Sequence, residues 1–435
     1  MSNGYLVLNK STALHGSVEL TGAKNAVLVI LASMLLTDGV SILTSVPNYS
    51  DVSQMISLLR DLGAIISFDP SSGKLEIDTR GVNKFEVKPE IMDKMRASIL
   101  VMGPLLARFG RAKVALPGGC LIGKRPIDYH LAGFKKLGAT IEENGMFLDA
   151  SLKPHNERSG YSRFVLEYPS VGATENIMMF AALGEGETVI VNAALEPEVL
   201  DLIDVLRKMG AKIDCSAGQV ISIKAVERLI PVKHSIIPDR LEAGALLLAA
   251  CITGGEIALP NARADHMDLF LEKLREMGHT VETGLDKGSN PNPLGIHLKA
   301  TLNPKAVSFV TGPYPGFPTD LQAPTMAALC LANGTSVIEE TVFENRLMHV
   351  PQLQKMGAQI TVSGRKATVR GVEALYGCEV IASDIRASCA LVLAGLVAHG
   401  QTKVSGIHHW RRGYDTLDLK LRVLGAQIEL IDPVD

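Results

Sequence analysis

The chain has 435 residues, 47% of them hydrophobic and 20% charged, and its formal net charge is −3. This length suits two domains rather than one, and the composition is typical of a soluble globular protein. The charge balance gives no reason to expect a nucleic-acid or membrane partner, so any anion-binding site must be local.

The N-terminal region contains no apolar run of signal-peptide type. Its longest apolar stretch, 26–36, is too short to span a bilayer. We therefore expect a cytoplasmic protein, and the sequence leaves its oligomeric state open.

Six similar phrases recur along the chain, beginning with "LRDLGAIISF" at 59 and ending with "LRVLGAQIEL" at 421. Each predicts an amphipathic helix that ends at a glycine in the left-handed C′ position and is followed by a short strand. The shared glycines are Gly63, Gly138, Gly210, Gly278, Gly357 and Gly425.

A second, more apolar helix is predicted before each phrase, for example "KNAVLVILASMLL" at 24 and "DIRASCALVLAGLVA" at 384. Hydrophobicity on all sides indicates that these helices are buried. Each repeat then reads as strand, buried helix, strand, exposed helix and β-hairpin. Three repeats can bury their apolar helices together, so six predict two three-repeat domains with a break near 226–238. Ligands commonly bind at domain interfaces.

Charged residues begin the predicted buried helices, where a neutral cap would suffice. They are Lys24 with Asn25, Arg96, Glu175, Asp239 with Arg240, Asp320, and Asp384 with Arg386. Capping explains the acidic residues, but cations at a helix N-terminus are unfavourable. We favour an anion-binding cleft, with structural ion pairs as the alternative.

Two further basic segments fit an anion site. "PGGCLIGKRP" places Cys120 just before Lys124 and Arg125, and "HHWRRGYD" supplies Arg411 and Arg412, predicted to lie in a loop. A cysteine beside two cations should have a lowered pKa.

The other cysteines and the known motifs argue against a cofactor. The six cysteines include no C-x-x-C pair, and Cys251, Cys330 and Cys389 lie in apolar runs that predict core positions. Phosphate-loop, G-x-G-x-x-G and H-E-x-x-H patterns do not occur. We expect no cofactor, metal or disulfide.

Motifs along nearly the whole chain resemble the UDP-N-acetylglucosamine enolpyruvyl transferase family. They are "GAKNA" at 22, "MRASI" at 95, "LPGGCLIGKRPIDYH" at 116, "PSVGAT" at 169, "PEVLD" at 197, "FPTD" at 317, "TVFENRLMHVP" at 341, "SDIRAS" at 383 and "RRGYD" at 411. The resemblance implies an α/β fold of two inverse α/β barrel domains, each of three β-α-β-α-β-β repeats. It also implies that residues 1–21 pack with the second domain, that 22–236 form the first domain and that 237–435 form the second.

The same resemblance implies an activity. The family transfers the enolpyruvyl group of phosphoenolpyruvate to the 3′-hydroxyl of UDP-N-acetylglucosamine and releases phosphate, as the first committed step of peptidoglycan synthesis. These two small molecules are the implied substrates. The sister enzyme that makes 5-enolpyruvylshikimate 3-phosphate is one alternative, although "KNAVLV" departs from its K-S-x-S-x-R signature. A catalytically idle, regulatory sugar-nucleotide-binding paralogue is the other.

The resemblance also implies residue roles. Cys120 would be the acid on a loop that closes over the substrates, Asp320 the base near the sugar hydroxyl, and Lys24 and Arg412 cations at phosphoenolpyruvate. Further substrate-binding positions are Asn25, Arg96, Arg125, Pro126, Ile127, Asp128, Tyr129, Val342, Arg346 and Arg386. Fosfomycin would be expected to attack the chain at Cys120.

Overall fold

The computed structural model describes residues 4–87, 96–115, 127–154, 160–216, 218–285, 294–414 and 416–431. Within these ranges lie 24 strands, arranged as six four-stranded sheets. None of the helices found there is both long and apolar enough to cross a membrane.

All six sheets share one pattern, which the third repeat illustrates. Tyr161–Val165 runs parallel to Glu187–Val191, which is antiparallel to Val220–Lys224, and the hairpin strand Lys212–Ser216 forms the edge. An inner helix connects the first two strands and an outer helix precedes the hairpin. This arrangement confirms the predicted β-α-β-α-β-β repeat and the α/β fold class.

The chain forms two compact units, one between Gly22 and Ile237 and the other from residues up to Thr21 together with those from Pro238 onward. In spatial order, the sheets of the first unit are Lys233–Ser235, Val40–Thr44, Lys74–Asp78, Ile65–Asp69; Glu86–Val87, Arg111–Ala115, Phe147–Leu152, Ala139–Asn144; and the third-repeat sheet above. Those of the second unit are His15–Ser17, Glu256–Leu259, Ile296–Lys299, Thr280–Thr283; Phe309–Val310, Thr335–Glu339, Lys366–Arg370, Gln359–Ser363; and Glu379–Ile381, Thr402–Ser405, Tyr5–Leu8, Ile428–Ile431.

Each unit completes its sheets with strands from a distant part of the sequence. Tyr5–Leu8 lies between Thr402–Ser405 and Ile428–Ile431, and His15–Ser17 pairs in parallel with Glu256–Leu259. In the first unit, Lys233–Ser235 pairs in parallel with Val40–Thr44. The N-terminal strands therefore belong to the sheets of the second unit.

The inner helices form the centre of each unit and are buried along almost their whole length. They are Lys24–Ser33, Met102–Phe109 and Val171–Ala182 in the first unit, and Arg240–Thr253, Thr319–Leu329 and Ile385–Gly395 in the second. Two separate hydrophobic cores result, one for each unit.

One inner helix differs from its prediction. The segment "MRASILVMGPLLARF" was expected to be a single helix, but Arg96–Val101 is a 3₁₀ helix and the α-helix begins at Met102. Pro104 explains the change, because proline is tolerated in the first turn of an α-helix but not farther inside. Asn176 bridges the junction by accepting from the Gly103 amide at 2.8 Å and donating to the Ile99 carbonyl at 2.9 Å.

The outer helices are amphipathic and end as predicted. They are Ser50–Asp61, Asp128–Lys136, Pro197–Lys208, Asp268–Glu276, Val350–Lys355 and Leu417–Val423. Each of the six shared glycines has a positive φ, between 95° and 111°. In the first repeat the Ala64 amide donates to the Leu59 carbonyl at 3.0 Å, which satisfies a carbonyl of the last helical turn.

Candidate functional site

In the second unit, acidic residues stand at the starts of the three inner helices, and two of them are caps. Asp239 accepts from the amides two and three residues later at 2.8 and 3.2 Å, and Asp384 does the same at 2.9 and 3.1 Å. Aspartate is among the preferred N-cap residues because its carboxylate satisfies these amides. The capping interpretation was therefore correct for both residues.

Asp320 has a different role, and the capping interpretation was wrong for it. It lies in the first turn of Thr319–Leu329, whose N-cap is Pro318 and has no side-chain cap. Its two carboxylate oxygens accept from Arg346 at 2.5 Å and from Arg386 at 2.8 Å. Charge-assisted bonds of this kind are roughly twice as strong as neutral ones, so the arginines outcompete the backbone amides for the carboxylate.

The two arginines are much more buried than the aspartate they hold. Their side chains are 3% exposed for Arg346 and 7% for Arg386, whereas Asp320 is 26% exposed. A second guanidinium nitrogen of Arg346 lies 3.8 Å from Asp384. Asp320 is thus the side of this ion cluster that solvent or a ligand can reach.

Arg386 connects the cluster to Tyr414, whose hydroxyl accepts from the guanidinium at 2.7 Å. Burial opposes the charged form of Arg386, but Asp320, Tyr414 and Asp239 outweigh it and raise the pKa of the guanidinium well above its usual value. The structural ion-pair interpretation therefore accounts for Arg386. A substrate anion at this arginine would have to replace one of its present bonds.

Arg412 lies in the helix Ile407–Gly413, so the predicted loop was wrong. Ile407 and Trp410 are buried and anchor one helical face in the core. The half-buried Arg412 is close enough to affect two neighbours. Burial first and then nearby positive charge, including that of Arg412, lowers the pKa of His408, and that of His409 to about 4.

The segment after Thr335–Glu339 carries two predicted binding residues, Val342 and Arg346. Buried Glu340 holds its beginning, because one carboxylate oxygen accepts from the amides of Val342 and Phe343 at 2.8 and 3.0 Å. The other oxygen accepts from the Thr319 hydroxyl at 2.9 Å. Glu340 thereby joins this segment to the helix start that carries Asp320.

In the first unit, Lys24 is the first residue of its inner helix and is buried. Its ammonium group lies 3.2 Å from the carboxylate of buried Asp51. Asn25, the next residue, is exposed. The helix has no side-chain cap and no acidic residue in its first turn, so the ion pair with Asp51 offsets the unfavourable cation at this end.

The remaining predicted positions of the first unit lie at other helix starts. Arg96 begins the 3₁₀ helix. Asp128 is the exposed first residue of Asp128–Lys136, and the half-buried Ile127 and Tyr129 on either side of it pack against the core. The predictions for Cys120, Arg125 and Pro126 lie outside the described residues.

Glu175 was predicted to cap its helix, and this was wrong. The helix begins at Val171 with Ser170 as its N-cap, so Glu175 lies in the second turn and is buried. Burial, followed by the charges of Glu198 and Glu196, raises the pKa of Glu175 well above its usual value.

The described cysteines have no activated thiol. Cys251, Cys330 and Cys389 are buried, as predicted, and burial raises the pKa of both Cys330 and Cys389 to about 12. Burial also raises the pKa of Cys215 and Cys378. These five positions are unsuited to nucleophilic or acid chemistry near neutral pH.

Within the described ranges, one group of side chains has the spacing of metal ligands: Asp201, Asp204 and His234. The ammonium group of Lys208 already lies among them, 2.6 Å from Asp204 and 3.2 Å from His234. His234 also bonds to Asp201 at 2.9 Å. Lysine thus provides the positive charge that a metal ion would otherwise supply.

Comparison with known proteins identifies the family. The model of the EPSP synthase (3-phosphoshikimate 1-carboxyvinyltransferase) family matches residues 8–421. The chain belongs to this family of enolpyruvyl transferases. Among its curated relatives is UDP-N-acetylglucosamine 1-carboxyvinyltransferase 1 of Caldanaerobacter subterraneus subsp. tengcongensis, 48% identical over 97% of this chain and 98% of that protein. UDP-N-acetylglucosamine 1-carboxyvinyltransferase 2 of Carboxydothermus hydrogenoformans is also 48% identical, over 98% and 99% of the two chains.

Solved structures of the family share the fold. The enolpyruvyl transferase NikO from Streptomyces tendae superposes with a TM-score of 0.88 at 21% identity and covers 100% of both chains. EPSP synthase from Acinetobacter baumannii gives a TM-score of 0.77 at 18% identity, over 99% of this chain and 100% of that one. The predicted two-domain inverse α/β barrel fold is confirmed.

Three residues of the site escaped the sequence reasoning: Asp51, Glu340 and Tyr414. Tyr414 stood inside a quoted motif, and Glu340 directly precedes another. A buried acidic residue next to a binding motif is a usable signal, although only the structure shows which partners it bonds. Asp51 had no comparable signal, since it lies in the first turn of an outer helix, where acidic residues are common.

Proposed function

We propose that the chain transfers the enolpyruvyl group of phosphoenolpyruvate to the 3′-hydroxyl of UDP-N-acetylglucosamine and releases phosphate. The observation that carries this proposal is the match, at 43–48% identity over nearly full length, to five proteins named for that reaction. The reaction would place the enzyme in peptidoglycan synthesis, and hence in cell-wall formation, cell shape and division. We propose a cytoplasmic location.

The reaction needs two proton transfers in its first half. A proton is added to the terminal carbon of phosphoenolpyruvate and another leaves the sugar hydroxyl as its oxygen bonds to the adjacent carbon. Loss of phosphate from that carbon and of a proton from the new methyl group restores the double bond. We assign the acid to Cys120 and the contact with the sugar hydroxyl to Asp320.

The surroundings of Asp320 support an orienting role as well as that of a base. Its carboxylate is charged and open to a ligand on one side, but two arginines compete with a proton for its oxygens. In this arrangement Asp320 is suited to accept a hydrogen bond from a hydroxyl and so to orient it. It becomes a stronger base if one arginine turns toward a substrate anion.

Phosphoenolpyruvate carries a phosphate and a carboxylate, which require several fixed cations. We assign Lys24, Arg125 and Arg412 to these anions. To the sugar nucleotide and the lining of the substrate site we assign Asn25, Arg96, Pro126, Ile127, Asp128, Tyr129, Val342, Arg346 and Arg386. Arg346 and Arg386 support this assignment through their bonds to Asp320.

A phosphate-release assay tests the proposal. Purified protein is incubated with phosphoenolpyruvate and UDP-N-acetylglucosamine, with each substrate alone, and with shikimate 3-phosphate in place of the sugar nucleotide. We expect phosphate only with the first pair, together with an enolpyruvyl-bearing sugar nucleotide by mass spectrometry. Release with shikimate 3-phosphate instead would indicate the sister activity. Nucleotide binding without turnover would indicate an idle paralogue.

A further inference from the structure

Glu340 is a buried carboxylate with no charged residue among its hydrogen-bond donors. It is 1% exposed and directly follows the strand Thr335–Glu339. Its three donors are the amides of Val342 and Phe343 and the hydroxyl of Thr319. A carboxylate removed from water is costly unless it is hydrogen-bonded, and these three bonds meet that need.

The donors belong to two elements that are 20 residues or more apart in sequence. Thr319 is the first residue of its inner helix and directly precedes Asp320. Val342 lies in the segment that continues to Arg346, which in turn bonds to Asp320. Glu340 therefore holds together, near their backbones, the same two elements that the Asp320–Arg346 pair connects through side chains.

We infer that Glu340 is a positioning residue for the transfer reaction, fixing the helix start that carries Asp320 against the segment that carries Val342. The inference rests on the proposed function, in which Asp320 faces the sugar hydroxyl and Val342 contacts the sugar nucleotide. One oxygen of Glu340 serves the helix and the other serves the segment, so its two contributions can be separated by mutation.

Two variants separate them. Thr319→Val removes only the bond to the helix, so kcat should fall roughly tenfold while KM for UDP-N-acetylglucosamine stays within about twofold. Glu340→Ala removes both connections, so kcat should fall and this KM should rise, each roughly tenfold. Glu340→Gln keeps an acceptor for the two amides and can donate to the threonine oxygen, so it should stay within about threefold of wild type.

Thr311→Val is the matched control. The Thr311 hydroxyl accepts from the Thr341 amide at 2.9 Å, in the same segment, and the structure gives it no bond to the helix start. Its loss should lower the thermal midpoint and leave kcat unchanged. If Thr311→Val lowers kcat as much as Glu340→Ala, the role of Glu340 is merely structural and the inference fails.

A double-mutant cycle and hydrogen exchange complete the test. In Thr319→Val/Glu340→Ala, kcat should be no lower than in Glu340→Ala alone, because the bond is already lost; additive losses would overturn the inference. Without substrates, the amides of Val342 and Phe343 should exchange faster in Glu340→Ala than in Glu340→Gln, and equal exchange would contradict the anchoring. If wild type releases no phosphate, the proposed function fails, and exchange alone decides the anchoring. If Glu340→Ala does not fold, an unchanged kcat in Thr319→Val refutes the positioning role.

Discussion

Replacement of Asp320 by asparagine tests the centre of the proposed mechanism. The change keeps the size of the side chain but removes its charge. Asparagine can offer one oxygen to Arg346 or Arg386, while its amide nitrogen would face the donors of the other. One buried guanidinium therefore loses its anionic partner, and the sugar hydroxyl loses the acceptor that we assign to it.

The structure bounds the cost to stability. Removing one partner of a fully buried ion pair costs about 3–5 kcal/mol. Asp320 is 26% exposed, Arg346 keeps Asp384 at 3.8 Å, and Arg386 keeps the Tyr414 hydroxyl at 2.7 Å. These factors reduce the expected loss to about 2–3 kcal/mol. At about 2–4 °C for each kcal/mol, the melting temperature of the second unit should fall by roughly 4–12 °C.

The loss of activity should be much larger than this loss of stability implies. At a temperature where the variant is still folded, turnover should fall by roughly two to four orders of magnitude, as expected for a lost base or orienting group. Phosphate release and thermal melting are measured on the same preparations. Asp265→Asn is the control, because Asp265 pairs with Arg263 at 2.6 Å in the same unit and has no assigned role. If Asp320→Asn melts early yet turns over at nearly the wild-type rate, Asp320 has no part in the chemistry.

Three further outcomes follow from cysteine reactivity, buried charge and close packing. Fosfomycin should modify Cys120 alone, because burial raises the pKa of the five other cysteines; an adduct on another cysteine by mass spectrometry would contradict this. Burial raises the pKa of Glu175 in the folded state, so the folded state binds this proton more tightly than the unfolded state. Wild type should therefore lose stability relative to Glu175→Gln as the pH rises above about 4.5, and parallel urea midpoints at pH 5 and 8 would exclude it. In Gly413→Ala the new methyl group would lie 2.7 Å from Ile385, so unfolding should be easier by about 1–3 kcal/mol, and an unchanged urea midpoint would refute the clash.

The repeat architecture was predictable because each repeat announces both of its helices. An apolar helix without a polar face has to be buried, and a glycine that ends an amphipathic helix fixes the turn before the hairpin. The helix of Arg412 was missed for a physical reason. "IHHWRRG" is only seven residues long, and two buried positions, Ile407 and Trp410, hold it through tertiary packing. So short a helix has too little intrinsic stability to be recognised from its sequence.

The positions of the site residues were predictable, but their partners were not. Charge at the helix starts drew attention to Lys24, Asp320 and Arg386, and all three form ion pairs. The sequence could not show that Asp51 would face Lys24, because that pair joins two helices through tertiary packing. Glu175 illustrates the opposite error, since the helix begins upstream at a serine cap and leaves the glutamate buried.

The three acidic helix starts of the second unit show how a common structural device differs from a functional one. Asp239 and Asp384 each accept from two amides of their own helix, and such a bonded carboxylate cannot serve a ligand without uncapping the helix. Asp320 occupies the equivalent place in the middle helix, but side chains bind it instead of the backbone. A rotation of one guanidinium can release an oxygen of Asp320 while the helix stays intact. Its side chain is 26% exposed, against 13% for Asp384, so the carboxylate with exchangeable partners is also the one that a substrate can reach.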